Sequence, residues 1–349
     1  MNKKLNLLKK RISIIIRDKN RKGFFKIFKE IIHFWIIKKE VPYFYFGKFL
    51  YRKEISNYCD YLSSKEVDRI TLSKNLHKYQ YSSILRNKLS FALYMEENNL
   101  PVPKIVCFNY KNRFYYNSNI LSINSEDELF TFIQKILQER SLKKIFIKSI
   151  TGMGGEGCFL LSEENLKIEI QKYAREILSQ DSIFQNVVDQ HLEVNKVYPH
   201  SLNTIRFDTF IDKNNTIHIL SAFMRFGCGG SFVDNGSSGG IYLSVDLDTG
   251  KLKGNSHQLM KYGGKQLEKH PDTNFVFESF EIPYFQESKD LIKKAVSYLP
   301  DRIIGWDIAI SKDGPIIIEG NDNNSFITPD IAYGGYLKHP LFKEILEEA

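Results

Sequence analysis

Apolar residues at Phe24, Phe25, Ile27, Phe28, Ile31, Ile32, Trp35 and Ile36 recur near helical spacing and predict an amphipathic helix early in the chain. Residues 56–76 are polar and read as a short helix and linker. From 82 to 99 the apolar positions Ile84, Leu85, Leu89, Phe91, Leu93 and Met95 predict one helix, ended by Asn98–Asn99 and by the extended run Pro101-Val102-Pro103. Residues 105–108 predict a short strand, and Ser125-Glu126-Asp127-Glu128 caps a helix reaching 138. Strands follow at 144–150, 158–161, 183–188, 204–210, 217–226 and 241–246, with a turn at Asn214–Asn215 and helices at 163–178 and 285–299. Residues 303–311 and 315–319 form a hairpin turning at Lys312-Asp313-Gly314. Strand pairs interleaved with helices predict an α+β fold with a large antiparallel sheet.

Charge changes this picture at one place. Of the 49 Lys/Arg and 41 Asp/Glu, 16 basic and three acidic residues fall within the first 53 positions, a local charge of +13 against −5 for the remainder. The basic amphipathic helix has two readings: packed on the body with its lysines solvated, or lying on an anionic membrane surface or a partner. No nucleic-acid motif accompanies the charge, so nucleic acid is not an expected partner. Cys59, Cys107, Cys158 and Cys228 show no metal-ligand spacing and read as reduced thiols of a cytoplasmic protein. No secretory signal is evident. The apolar stretch at 31–37, interrupted by His33, is far short of the ~20 residues that span a bilayer.

Three clusters carry candidate chemistry. Gly152-Met153-Gly154-Gly155-Glu156-Gly157 lies between two predicted strands, so it reads as a flap whose amides approach phosphate oxygens, with Lys148 on the strand before it. It is neither a Walker loop nor a dinucleotide-binding turn, and its bland alternative is a surface hairpin. Glu319 and Asn321 share one strand face and Asp307 joins them from the neighbouring strand. These oxygen ligands suit Mg²⁺, and an Asx-rich turn is the alternative. Arg206 and Arg225 on sheet strands hold either a phosphate or carboxylate, or a structural ion pair. Asn235-Gly236-Ser237-Ser238-Gly239-Gly240 supplies a second loop. His191 and His200 read equally as substrate contacts or loop ties. No GxSxG or HExxH supports a nucleophile or zinc reading.

Together these motifs resemble the ATP-grasp superfamily, from about Leu85 to about Ile327. Asn87-Lys88-Leu89 with Leu100-Pro101-Val102-Pro103 looks like its opening segment, Ile147-Lys148 with the glycine loop like its flap, and Phe184-Gln185-Asn186-Val187-Val188 like its adenine-binding hinge. Ser201-Leu202-Asn203-Thr204-Ile205-Arg206 is similar to the sugar-transfer-associated branch, whose members sit among enzymes that build polysaccharides. Asn87 stands where the family usually has aspartate, and the first ~80 residues differ from its usual leading domain.

The resemblance implies two α+β lobes with antiparallel sheets around a nucleotide cleft, preceded by a basic, mostly helical segment at 1–80. The first part of the ATP-grasp would cover 81–140, the small lobe 141–195 and the large lobe 196–349. ATP would meet Lys88, Lys148, Gly152, Gly154, Gly155, Gly157, Gln185, Val187 and Val188, with Asp189 or Glu193 on the ribose. Mg²⁺, or Mn²⁺ in its place, would sit on Asp307, Glu319 and Asn321. Arg206, Arg225 and Asn235 would be catalytic, and His200, Ser201, Asn203, Gly239 and Gly240 would face substrate. The implied activity is carboxylate–amine ligation through an acylphosphate on a sugar or capsule-type glycan precursor, at the cytoplasmic face of a bacterial membrane. A hydroxyl kinase and a non-catalytic nucleotide-binding partner of a glycosyltransferase are the alternatives.

Overall fold

The computed structural model describes residues 11–349 apart from Met153, Glu156 and Ser279. Among the described residues two antiparallel sheets dominate. The smaller contains β1 (Ile105–Tyr110), β2 (Arg113–Tyr116), β3 (Asn119–Ser122), β4 (Lys144–Ser149), β5 (Phe159–Ser162) and β6 (Asp181–Asn186), in the order β3-β2-β1-β6-β4-β5. Two helices, Glu126–Glu139 and Leu166–Ser179, bury Leu129, Ile133, Ile136, Ile170 and Ile177 in a core shared with Ile145, Ile147 and Phe184. Ser125 caps the first of them by accepting from the Glu128 amide, as its sequence pattern predicts.

The larger sheet contains β7 (Thr204–Ile211), β8 (Ile217–Phe226), β9 (Ile241–Val245), β10 (Leu252–Gln258), β11 (Gln266–Leu267), β12 (Ile303–Ser311) and β13 (Gly314–Asn321), in the order β11-β10-β9-β8-β7-β12-β13. The helix Phe285–Tyr298 covers one face through Phe285, Ile292, Ala295 and Val296. The N-terminal segment covers part of the sheet as well. Ile27, Phe34, Tyr45, Phe49 and Tyr51 pack with Phe223 of β8 and Tyr242 of β9, while Lys48 reaches Asp330 at 2.5 Å and Lys22 reaches Glu30 at 2.6 Å, all buried. The early helix, Phe24–Lys38, is therefore docked on the body.

Three expectations change. The single helix at 82–99 is two, Tyr79–Leu85 and Lys88–Glu97. Asn87 adopts an extended conformation and accepts from the Ser90 amide, so it acts as an N-cap and breaks the run. β2 and β3 form a hairpin absent from the sequence reading, turning at Asn117 and Ser118, both at positive φ (46° and 62°), as a two-residue primed turn requires. β10 and β11 are also additional; polar residues such as Lys253, Asn255 and Gln258 hide their alternation.

Candidate functional site

A cleft of about 690 Å³ is lined by residues of both sheets. Its strongest feature follows from register. Asp307 of β12 pairs across the sheet with Arg206 of β7 on one side and with Glu319 of β13 on the other. Arg206 grips both carboxylate oxygens of Asp307 through Nε and Nη2, the latter at 3.0 Å. Arg225 Nη2 forms an ion pair with Oδ2 of the same carboxylate at 2.9 Å. Burial alone would raise the Asp307 carboxyl, but the two guanidiniums overcome it and hold it well below the usual carboxylate range. For Arg206 burial works against the charge and Asp307 more than compensates, so its pKa is raised.

The arginines are themselves held. Arg206 Nη1 donates to Asn324 Oδ1 at 2.8 Å, Asn324 donates to Asp208, and the buried Tyr336 hydroxyl donates to the same carboxylate. Arg225 meets Thr204 Oγ1, Asn235 Oδ1 at 3.4 Å and Asp234 at 3.4 Å, while Asp234 accepts from Thr204 N at 2.8 Å. Sequence reasoning missed Asp208, Asp234 and Tyr336. Asp234 precedes Asn235 in the loop that attracted attention, and Asn324 lies in the Asn-Asp-Asn-Asn run after Gly320.

Opposite this cluster stand the lysines. Lys148 of β4 is buried, with Nζ 3.5 Å from Ile318 O. Burial pulls its pKa down to about 8, against the opposing pull of Glu319. Lys88 begins the helix that Asn87 caps. Its amide donates to Ile150 O at 2.9 Å, and its Nζ donates to Gly152 O and lies 3.9 Å from Glu319 Oε2. Gly152, Gly154 and Gly155 line the cleft, the last two at positive φ.

The donor set fits a hard divalent cation. Asn321 spends its amide nitrogen on Glu319 Oε1 at 3.2 Å and on Gly305 O, while its Oδ1 accepts no hydrogen bond among the described residues. Glu319 is partly exposed. Each oxygen of Asp307 accepts one hydrogen bond from Arg206, and Oδ2 also faces Arg225. Oxygen ligands that leave room for phosphate and water suit Mg²⁺.

The remaining candidates separate. Gln185, Val187, Val188, Asp189, His200, Ser201 and Asn235 line the cleft. Gln185 ties its amide to Pro103 O at 2.8 Å, anchoring the predicted hinge to the Pro-x-Pro segment. Glu193 is off the cleft, paired with Lys196 at 2.7 Å, which leaves Asp189 as the acid at the rim. Gly157 is also outside, closing the flap hairpin by accepting from the Ser149 amide at 3.2 Å. His191 caps the helix Leu192–Val197. Asn203 is fully buried, bonding Gln190, Tyr198 O and Ser201, so it organises the loop and is not in the cleft wall. Gly239 and Gly240 are likewise not in the cleft wall. A Cβ on Gly240 would meet Asp234 O at 2.3 Å, so this glycine permits a close backbone approach. Gly240→Ala should lower stability by about 1–3 kcal/mol, read as a lower melting temperature with or without nucleotide. Cys228, His270 and Asp272 also cluster, but His270 uses Nε2 on Gly227 O and Nδ1 on the Asp272 amide, which ties a loop.

Two α+β lobes closed on a cleft with this arrangement make the ATP-grasp fold. Over residues 68–345 the chain matches the family described as sugar-transfer associated ATP-grasp, and it belongs to that family. No curated protein sequence matches it significantly. Among solved structures it is similar to D-alanyl-alanine synthetase A from Vibrio cholerae, at 11% identity and a TM-score of 0.47, covering 78% of this chain and 66% of that one. It is also similar to the ATP-grasp ligase PsnB complexed with minimal precursor, at 13% identity and 0.41, covering 78% and 64%. A third is N5-carboxyaminoimidazole ribonucleotide synthetase from Thermotoga maritima, at 11% and 0.38, covering 72% and 48%. The chain thus spans about two thirds or less of these solved chains. Among the described residues no helix is long and apolar enough to cross a membrane.

Proposed function

We propose that the chain is an ATP-dependent ligase that activates a substrate carboxylate as an acylphosphate and joins it to an amine, with a sugar or cell-surface glycan precursor as the favoured substrate class. The observation that carries this reading is the single cleft in which Lys88 and Lys148 oppose Glu319, Asn321 and the arginine-clamped Asp307. Such a site offers positioning and charge neutralisation, which is what phosphoryl transfer requires.

Lys88, Lys148 and the amides of Gly154 and Gly155 would hold the phosphates of ATP, and Val187 and Val188 would flank its base. Glu319, Asn321 and Asp307 would hold Mg²⁺, which would supply charge neutralisation at the transferring phosphoryl group. Arg225 borders both Asp307 and the Asn235 loop, so its guanidinium would face the charge that builds up on the attacking carboxylate and on the leaving phosphate. Ser237 Oγ donates to Gly154 O at 3.3 Å, so the glycine flap and the Asn235–Gly240 loop already meet over the cleft and would keep water from the acylphosphate.

The test is product analysis with Mg-ATP and panels of acids and amines. Ligation releases ADP and free phosphate only when both substrates are present, and hydroxylamine in place of the amine yields a hydroxamate. A phosphorylated alcohol without free phosphate would make the chain a kinase. Nucleotide binding without turnover on any panel would favour a non-catalytic partner of a glycosyltransferase.

A further inference from the structure

The docked helix Phe24–Lys38 buries Ile27, Glu30 and Phe34 on its inner side, yet its outer side carries Phe25, Phe28, Ile32, Trp35 and Ile36, with Phe24 at its edge. Phe25 is 72% exposed, Phe28 61% and Trp35 55%, and they lie together on one helix face as a contiguous apolar patch. Ile12 and Ile16, in the helical stretch 11–17, extend the apolar surface. A contiguous apolar patch rimmed by polar residues, on a helix already packed on its other side, is the mark of an interaction site.

Charge identifies that partner. Arg11, Arg17, Lys19, Lys26, Lys29 and Lys39 are exposed around the stripe. The three acids of this region are all consumed internally. Asp18 binds Arg52 at 2.8 Å, Glu30 binds Lys22 and Tyr45, and Glu40 accepts from the amides of Ser64 and Lys65 at the start of the helix Ser64–Leu72. Within residues 11–53 the exposed charged side chains are therefore all basic. Arg21 lies over the Phe24 ring at 3.8 Å and Lys29 over Phe25 at 4.6 Å, the arrangement of basic heads at the margin of an apolar surface. A protein groove that buried the aromatics would leave this ring of cations to be matched one by one. An anionic lipid surface takes the apolar side chains into its acyl boundary and the cations into its headgroup layer at once.

We propose that this face docks on an anionic membrane surface, with Phe25, Phe28, Ile32, Trp35 and Ile36 inserted and the surrounding lysines and arginines against lipid phosphates. The helix lies on the bilayer without crossing it. Phe223 and Tyr242, which pack beneath the N-terminal segment, also line the cleft, so docking would hold the cleft one layer of side chains from the docked segment.

The test uses the full chain, because Ile27 and Phe34 belong to the core and deletion of the helix would damage the fold. Wild type should co-sediment with vesicles containing phosphatidylglycerol and stay in solution with pure phosphatidylcholine. Phe25→Glu/Phe28→Glu should partition at least about tenfold less, and Lys26→Glu/Lys29→Glu should also bind less and lose the salt dependence. All four side chains are exposed, so both variants should melt like wild type. Trp306 is fully buried, so a blue shift of tryptophan emission on binding reports Trp35. Equal partition of wild type and the phenylalanine variant, or equal binding to both lipids, would overturn the proposal. A self-associated wild type that the phenylalanine variant makes monomeric, with no vesicle binding, would assign the face to a second copy and overturn it as well.

Discussion

Glu319→Ala should lose ATP-dependent turnover by roughly two to three orders of magnitude while it stays folded, its unfolding free energy falling by only about 1 kcal/mol. Glu319 is partly exposed, its nearest cation is 3.9 Å away, and it pairs across the sheet with another acid, Asp307. It also favours the charge of the buried Lys148, so its removal costs some stability but breaks no buried ion pair. It accepts from the Asn321 amide at 3.2 Å. Steady-state rates and urea melts of the variant check both halves. A variant as active as wild type would remove Glu319 from the metal site.

Arg206→Ala should have the opposite signature and unfold readily, losing about 3–5 kcal/mol. It leaves Asp307 buried with Arg225 alone, and it leaves the Oδ1 of Asn324 without its donor. Arg206→Lys should recover little, because an ammonium cannot span both oxygens of Asp307. The pH dependence has a defined sign. The two guanidiniums lower the Asp307 carboxyl in the folded state, so this stability is fully present above its ordinary value of 3.8 and is lost as pH falls below it. Acid unfolding of wild type should draw on this group, and denaturant melts of Arg206→Ala should be weakened already at neutral pH. A variant that melts with wild type at pH 7 would show that the clamp carries no structural weight.

The contrast between these two residues explains how far the sequence could be read. Lys148 before a glycine loop, and an acid ending an apolar strand before an Asx run, are local patterns, and the structure brings them to one cleft. The clamp is not local. It exists because β12 inserts between β7 and β13, placing Asp307 opposite Arg206 across about a hundred residues of chain, and no spacing announces that register. Polar residues near the site were also hard to sort. Asn203 and Asn235 look equivalent as letters, but one is buried in a web of loop bonds and the other reaches Arg225 in the cleft. Glycine carried the same ambiguity, since Gly154 lines the flap at φ +67° and Gly240 only relieves a backbone contact. In the N-terminal segment, helical spacing was visible, but which side faced inward depended on Phe223 and Tyr242 of a sheet built from residues far along the chain.

The most direct test of the central claim is thermal unfolding with and without Mg-ATP, for wild type and for Lys148→Ala. A ligand bound only by the folded state stabilises it by about 2.7 kcal/mol at a hundredfold excess over Kd. The nucleotide site described here predicts a clear upward shift in wild type that shrinks in Lys148→Ala. An equal shift in both proteins would contradict the placement of ATP against Lys148, and no shift in wild type at millimolar Mg-ATP would contradict the nucleotide site itself.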